Sequence, residues 1–425
     1  MIRKISVGVI GLGYVGLPML HLLSQKKINC YGFDIDEHKI RNIKKNISYI
    51  SDLTNTNLKI INKNKIFSMR EIENINKVDY IIFCLPTPLN KQKAPDMSII
   101  KNAFNSVKKH LRKNQTIILE STVYPGATKD IFYNHLSKKF SVGKNFYLCY
   151  SSERISPGQI NKKEYKFFLH NTTKVVSGFN RQSEKNINYL YKKIFKKLYL
   201  AKSLEIAEMS KLLENSYRSV NIGLVNELKI ICNKLNLNIH EVLETSKTKP
   251  FGFSAFYPGP GVGGHCIPID PVFINWIAKK NGTKANFIDL ARKTNIGISD
   301  WVINEIIKRE KKIKDKKTVK RILIIGMAYK KDVNDIRESP SIKIYKKLTN
   351  YNNLIDFHDD KVKQVKLNKK IIFSKPLNHC SKYDYVILCT AHSNLNKKKL
   401  LKFSKKIFDT RGAFAEKNYK KVIQL

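Results

Sequence analysis

Apolar residues along this chain come in short, β-branched runs that stop abruptly at glycine, proline or a polar turn. Ile5–Ile10 is the first; it runs into Gly11-Leu12-Gly13-Tyr14-Val15-Gly16, after which Leu17–Leu23 begins a helical pattern. Cys30–Phe33 is the second and ends at Asp34, and Tyr80–Leu85, Thr116–Leu119 and residues 146–151 follow. Runs without polar alternation are the mark of parallel strands buried on both faces. Strand, glycine turn and helix in that order predict a doubly wound α/β domain. A longer pattern then takes over. From Glu205 to Asn236 apolar residues fall at Ile206, Met209, Leu213, Tyr217, Val220, Leu224, Leu228 and Ile231, steps of three and four that predict one long helix. Ile222, Val225 and Ile230 lie off that stripe, so the helix is expected to be covered on more than one side, by a second copy of the chain. Glu208, Lys211 and Asn215 form a polar stripe on another face, either a solvated ion pair or a set of groups aimed into a cleft.

A further helix is expected around Phe287–Lys312, carrying Arg292 and Asn295, and the lysine-rich stretch Lys308–Lys320 reads as a boundary. The opening pattern then returns. Arg321–Tyr329 echoes Ile5–Tyr14, Asp356-Phe-His-Asp359 echoes Asp34-Ile-Asp36, and Tyr383–Thr390 echoes Val78–Leu85. The expected fold class is α/β, with two Rossmann-like doubly wound domains joined by a long central helix and an all-α middle region. The expected boundaries are 1–200, 201–312 and 313–425.

The turn after the first strand is GxGxxG in its proper setting, where the glycines admit a pyrophosphate and the helix start offers N–H groups to it. Asp34, which follows Gly16 by 18 residues, is placed to bind the ribose hydroxyls of an adenosine. An acid there favours NAD over NADP, and Lys39 could loosen that preference. Thr87 in Pro86-Thr87-Pro88 and Thr122 in Glu120-Ser121-Thr122 follow strand ends, where ligands of such sheets sit. The Glu153-Arg154-Ile155-Ser156-Pro157-Gly158 segment is either a surface ion pair or a loop that reads a substrate. The second copy lacks the later glycines and carries Lys330, Lys331, Arg337 and Ser339 after its first strand, which suits an anionic phosphate ligand.

One stretch fits neither a helical nor a strand period: Gly259-Pro260-Gly261-Val262-Gly263-Gly264-His265-Cys266-Ile267-Pro268-Ile269-Asp270. A thiol set among glycines can be an exposed nucleophile or an incidental residue of a turn. Composition narrows the setting. The seven cysteines contain no CxxC and are odd in number, against a disulfide framework or zinc site and in favour of a reducing, cytoplasmic compartment. Met1 to Leu23 is basic then apolar, yet its glycines fit a strand and turn better than a signal peptide, and no apolar run is long enough for a membrane helix. The net charge of +45 is spread along the whole chain. It forms no nucleic-acid module, so neither nucleic acid nor membrane is expected as a partner, and no metal site is expected.

These motifs together resemble the nucleotide-sugar 6-dehydrogenases, the UDP-glucose/UDP-N-acetylhexosamine dehydrogenase family, over nearly the whole chain. The resemblance rests on Gly11–Gly16, Pro86-Thr87-Pro88, Glu120–Gly126, Glu153-Arg154…Pro157-Gly158, Lys211…Asn215, Lys249-Pro250-Phe251-Gly252-Phe253, Gly259–Pro271 and Tyr329-Lys330…Asp335…Arg337-Glu-Ser-Pro340. Arg154, the Lys-Pro-Phe-Gly-Phe segment and His265-Cys266-Ile-Pro resemble its N-acetylhexosamine branch. Ser152 stands where the family usually has proline, and Asp360 where Asp-Pro is common; neither matches a catalytic position.

The resemblance implies an NAD-dependent four-electron oxidation of the C6 alcohol of a UDP-sugar to a carboxylate, for surface polysaccharide or capsule synthesis, by a homodimer. UDP-N-acetylglucosamine is the first expectation for the sugar. Cys266 would form a thiohemiacetal and then a thioester, with Thr122 and Asp270 holding a water and Glu153 or Asp270 acting as base. Lys211 and Asn215 would stabilise an oxyanion. Cofactor contacts would come from Gly11, Gly13, Tyr14, Val15, Gly16, Asp34, Lys39, Thr87, Thr122 and Arg337. Substrate contacts would come from Glu153, Arg154, Lys211, Asn215, Arg218, Phe251, Gly252, Tyr257, Gly263 and Lys330. Two alternatives stand beside this: a UDP-glucose 6-dehydrogenase, and an inactive basic protein that binds nucleotides or nucleic acid.

Overall fold

The computed structural model describes residues 5–50, 52–154, 171–315, 317–351, 353–367 and 370–425. The described chain falls into two compact units, Met1–Glu214 with Val272–Thr283, and Asn215–Pro271 with Lys284–Leu425.

The first unit is built on an eight-stranded sheet: β1 (Ser6–Ile10), β2 (Asn29–Asp34), β3 (Lys65–Ser68), β4 (Tyr80–Phe83), β5 (Thr116–Leu119), β6 (Tyr147–Ser151), β7 (Lys174–Gly178) and β8 (Leu198–Leu200). Their order across the sheet is β3-β2-β1-β4-β5-β6-β7-β8, with every pair parallel except β6 with β7. The central strands are buried along their length, as their unbroken apolar runs require. Strand order reverses on either side of β1, and the crevice at that reversal is where such sheets bind ligands.

The second unit carries β9 (Arg321–Ile325), β10 (Leu354–His358), β13 (Tyr385–Leu388), β14 (Ile407–Asp409) and β15 (Val422–Gln424), all parallel, in the order β10-β9-β13-β14-β15. A small antiparallel pair, β11 (Gln364–Leu367) with β12 (Lys370–Phe373), stands apart from this sheet. Both sheets have the doubly wound form that the apolar runs predict. The long helix spans Leu204–Lys234 and the later one Asn286–Arg309, each within a few residues of its periodic pattern.

Two expectations need refining. The repeat is real, but the register pairs Ile10 with Phe33 and Ile325 with His358, so the counterpart of Asp34 is Asp359 and not Asp356. The apolar stripe of the long helix is open: Ile206, Met209, Leu213, Tyr217, Leu224 and Ile231 are between 39% and 62% exposed in the single chain. Off that stripe Val225 is 5% exposed, while Ile222 and Ile230 are half-buried, as are Val220 and Leu228 on it.

Candidate active site

In the first unit the glycine turn is shaped by contact, residue by residue. Gly11 has φ +91°, and a Cβ there would lie 2.5 Å from the Cys84 carbonyl oxygen. A Cβ on Gly16 would lie 1.8 Å from the Gly11 oxygen, so only glycine lets the helix Gly16–Gln25 begin this close to the strand. Gly13 has nothing within 4 Å of where its Cβ would be, which leaves the bend of the turn open. No side chain caps the helix at Val15, and an uncapped helix start is a ready partner for phosphate oxygens. Tyr14 and Val15 are half-buried in this turn.

Asp34 ends β2 with its side chain 4% exposed. Its Oδ2 accepts from Leu12 N at 2.7 Å and its Oδ1 from Asp36 N at 2.9 Å. Lys39 Nζ pairs with Oδ2 at 3.0 Å. The carboxylate is thus fixed against the turn, and the lysine that could alter the choice of cofactor is already on it.

The ends of β4 and β5 are laced together. Leu85 N donates to Ser121 Oγ at 3.0 Å, and Thr87 Oγ1 donates to the Thr122 carbonyl at 2.8 Å. Beneath them the buried Glu120 carboxylate takes one hydrogen bond from Lys174 Nζ and one from Tyr191 OH. A buried carboxylate needs such partners, and together they pin the start of the Thr122 segment. Sequence reading missed Lys174 and Tyr191, which lie on β7 and the helix Arg181–Tyr191; a lysine opening an apolar strand is the signal that could have found the first.

Arg154 reaches partners distant in sequence. It donates to Glu214 and, at 2.9 Å, to the Thr173 carbonyl. Ile155 to Gly158 lie outside the described residues. Lys211 is 7% exposed on the long helix.

In the second unit the glycine loop is held at nearly every step. Gly259 N donates to Asn226 Oδ1 at 3.0 Å, and Asn226 in turn donates to Asn295 Oδ1 at 2.9 Å. Ser299 Oγ donates to the Pro260 carbonyl at 2.6 Å. Gly264, with φ +83°, donates to the Arg337 carbonyl at 2.8 Å, and a Cβ on it would lie 2.7 Å from the Tyr329 ring. A Cβ on Gly263 would lie 2.7 Å from the Glu338 oxygen. The close approach that these two glycines permit is therefore by the chain's own 329–338 segment, a requirement the sequence did not reveal. Asn226 was missed as well; it is a fully buried asparagine on the long helix.

The outcome of this bracing is Cys266. It is exposed, whereas the other six cysteines are buried. Its carbonyl accepts from Asp270 N at 2.8 Å and Ile269 N at 3.1 Å, opening the helix Asp270–Lys280. Asp270, 3% exposed, accepts a short hydrogen bond from Asn215 Nδ2. The backbone of Cys266, the Asp270 carboxylate and the Asn215 amide of the long helix are thus linked in series. Burial, helped by the positive Arg337, lowers the pKa of His265 against the pull of Asp335, so the ring beside the thiol is neutral at pH 7.

Of the remaining expected residues, Arg218, Phe251, Gly252 and Tyr257 are exposed, with Tyr257 OH hydrogen-bonded to Glu244. Lys330 is half-buried on the loop after β9, and Arg337 is engaged by Asp335 through several hydrogen bonds. Among the described residues no cluster could hold a metal ion, and no helix is long and apolar enough to cross a membrane.

Three family models cover most of the chain, described as the NAD binding, central and UDP binding domains of the UDP-glucose/GDP-mannose dehydrogenase family; they match residues 5–198, 205–297 and 323–416. The chain is 32% identical to the UDP-N-acetyl-D-glucosamine 6-dehydrogenase of Pseudomonas aeruginosa, over 92% of this chain and 91% of that protein. It is 36% identical to the UDP-N-acetyl-D-mannosamine dehydrogenase of Methanocaldococcus jannaschii, over 80% of this chain and 75% of that protein. Its fold is similar to a UDP-D-ManNAc dehydrogenase structure from Pyrococcus horikoshii, with a TM-score of 0.87 and 25% identity over 99% of this chain and 98% of the other.

Proposed function

From a chain that belongs to the UDP-glucose/GDP-mannose dehydrogenase family, we propose a UDP-N-acetylhexosamine 6-dehydrogenase that converts the C6 alcohol of its sugar to a carboxylate through a covalent adduct on Cys266. NAD is the cofactor. The open bend at Gly13, the uncapped helix start and the Asp34 carboxylate fit it: Gly11, Gly13 and Gly16 would receive the pyrophosphate, and Asp34 the adenosine ribose. The cofactor supplies a hydride acceptor, used twice for each sugar.

The chain's own residues supply the rest. Thr122 and Asp270 orient the water that takes the alcohol proton as the first hydride leaves. Cys266 adds to the resulting aldehyde as its thiolate, its sulfur bonding to C6 as the carbonyl π bond opens, and Lys211 and Asn215 stabilise the oxygen that becomes negative. Loss of the second hydride from that adduct gives a thioester. Water then attacks C6, with Glu153 or Asp270 taking its proton, and the C6–S bond breaks to release the Cys266 thiolate. The covalent step keeps a reactive aldehyde from escaping between the two oxidations. Lys330, with Arg337 nearby in sequence, would hold the UDP phosphates, while Arg154, Arg218, Phe251, Gly252, Tyr257 and Gly263 would line the sugar. Arg337 could alternatively reach the cofactor.

The observation that carries this reading is Cys266 itself, the exposed cysteine, braced by glycines and one turn from an Asn215–Asp270 hydrogen bond. UDP-N-acetylglucosamine is the preferred sugar, on the likeness to the Pseudomonas protein over nine-tenths of both chains. Its C2 epimer, UDP-N-acetylmannosamine, is the second reading, favoured by the higher identity to the Methanocaldococcus protein. The open apolar stripe on the helix Leu204–Lys234 would be covered by a second copy of the chain, giving a homodimer, and the cytoplasm supplies both NAD and UDP-sugars. The uronate product suits incorporation into a surface polysaccharide. The test is NADH formation from NAD⁺ with UDP-N-acetylglucosamine, UDP-N-acetylmannosamine, UDP-N-acetylgalactosamine and UDP-glucose in parallel. Turnover of an N-acetylated sugar at least about tenfold above UDP-glucose supports the proposal, and turnover of UDP-glucose alone overturns it.

A further inference from the structure

The polar stripe of the long helix begins at Glu208, and the proposed chemistry gives that residue no part. Its side chain is fully buried, and a buried carboxylate has to be satisfied by several donors. It takes Gly126 N on Oε2 at 2.5 Å, and Thr128 N and Thr128 Oγ1 on Oε1 at 2.9 and 2.6 Å. All three donors lie in the segment that follows Thr122. Glu120, at the other end of this segment, is held by Lys174 and Tyr191. Thr122 therefore stands between two buried carboxylates, one anchoring it to the sheet and the other to the helix. Lys211, also buried, is one helical turn beyond Glu208 on that same helix. Gly126 has φ +94°, a conformation that presents its amide to the carboxylate and that other residues rarely adopt.

We propose that Glu208 is a positioning residue: as a carboxylate it clamps the Gly126–Thr128 backbone to the helix that carries Lys211 and so fixes the register between Thr122 and that lysine. The proposal rests on the roles given above to Thr122 and Lys211. Its electrostatics add a pH dependence. Burial raises the carboxyl pKa to about 7 against the pull of Thr128 and Gly126, and the charge of Glu205 adds to the rise. The surrounding ionisable groups are Glu205 and Lys211 on the same helix, with Tyr124, Lys129 and Asp130 on the facing segment. Lys129 pairs with Glu205 at 2.7 Å, and Tyr124 OH donates to Asp130 at 3.1 Å.

The sign follows from linkage. A raised carboxyl pKa favours the protonated form in the folded chain, so this group's stabilising contribution is full at low pH and is lost as pH rises through about 7. The clamp works in the opposite sense, because only the carboxylate accepts all three donors. Below pH 7 the added proton competes for an acceptor and the Gly126 amide loses its partner. The active form is thus the less stable one.

The test compares wild type with Glu208→Gln and Glu208→Asp. The glutamine keeps the volume but turns one oxygen into a donor facing an amide, and the aspartate keeps the charge but falls short by one methylene. For Glu208→Gln we expect kcat down by about 10- to 100-fold, with KM for the UDP-sugar within about threefold. The acid limb near pH 7 should vanish from its kcat profile. Glu208→Asp should lose similar rate while keeping a pH-dependent limb. Amide hydrogen exchange over Gly126–Thr128 should be fast at every pH in the glutamine variant, and fast only on the acid side in wild type. A folded Glu208→Gln with wild-type kcat and an intact acid limb overturns the proposal. So does a fall in kcat that comes with an equal rise in KM and a loss of thermal stability, the mark of a residue that only supports the fold. If wild type makes no NADH from any UDP-sugar, the parent reading fails, and pH-independent exchange of Gly126–Thr128 in wild type would then refute the clamp separately.

Discussion

The turn after β1 and the turn after β9 are two versions of one construction. In the first, Gly11 has φ +91° and donates to the Phe33 carbonyl at 2.8 Å; in the second, Gly326 has φ +86° and donates to the His358 carbonyl at 2.8 Å. A Cβ would strike the Cys84 carbonyl oxygen at 2.5 Å in one and the Thr390 carbonyl oxygen at 2.3 Å in the other. The aspartate at the end of the neighbouring strand then accepts from the turn, Asp34 from Leu12 N and Asp359 from Met327 N, both at 2.7 Å. Up to this point the two are the same.

They part in how soon a helix follows and in what occupies the carboxylate. After Gly11 the helix starts at Gly16, within reach of the turn. After Gly326 the chain wanders through Tyr329–Glu338 before a helix opens at Pro340, where Ser339 caps it and Ser341 Oγ donates to the Gly326 carbonyl at 2.7 Å. Asp359 also accepts from the amides of Ala328, Lys361 and Val362. His392 Nε2 lies 3.0 Å from its Oδ1. His392 Nδ1 accepts from Asp332 N at 2.9 Å, which leaves the ring proton on Nε2. Burial alone would raise the pKa of Asp359, but His392 and those amides outweigh it and hold it below the usual range. Its acceptors are spent within the chain. Asp34 has fewer internal claims, and one of them is Lys39, a half-exposed side chain able to move aside. The same turn therefore braces its own loop in the second copy, and in the first it leaves the carboxylate to which the proposed function assigns the ribose.

The largest expected effect is at Gly16, the glycine that the second copy lacks. Gly16→Ala would place a methyl group 1.8 Å from the Gly11 oxygen, so the first unit should lose about 3 kcal/mol or more and NAD binding with it, as read by urea unfolding and calorimetric titration. Wild-type stability would mean that the helix start is not set by that contact. Next comes Gly326→Ala, which combines a positive φ with the Thr390 carbonyl at 2.3 Å; a loss of about 2–3 kcal/mol is expected, with NAD affinity unchanged in the folded protein. A change in NAD affinity there would break the division of labour between the turns. The smallest effect is cofactor choice. NAD⁺ should be favoured over NADP⁺ at least about tenfold in kcat/KM, or about 1.4 kcal/mol; Asp34→Ala should erase the preference and Lys39→Ala should sharpen it. Equal kcat/KM for the two cofactors in wild type would contradict the role given to Asp34.

The pattern of apolar runs revealed both sheets and both long helices because parallel strands and helices impose local periods. It was silent where the partner is remote in sequence. Glu208 and Gly126 are 82 residues apart, and Lys174 and Glu120 are 54 apart; no local period records such pairs. The repeat was legible as a repeat, yet the aspartate that matters in the second copy emerged only from strand register. The central helix marks the opposite limit. Its apolar stripe was correctly located, but a period tells which residues share a face and not what covers that face. Cys266 was legible through its glycines, whereas the reason for those glycines, the packing of Tyr329 and the 337–338 backbone, was not.

In the proposed function the first turn takes the dinucleotide and the second unit takes the uridine nucleotide, and calorimetric titration of NAD⁺ and of UDP into two variants tests that division most directly. Gly13→Asp puts a negative charge into open space, so the fold should survive while NAD⁺ affinity falls by about 100-fold or more and UDP affinity stays as in wild type. Lys330→Ala should give the reverse pattern, with UDP affinity down about tenfold or more and NAD⁺ affinity kept. If both variants weaken the same ligand, or if Gly13→Asp leaves NAD⁺ binding intact, the division between the two turns is wrong.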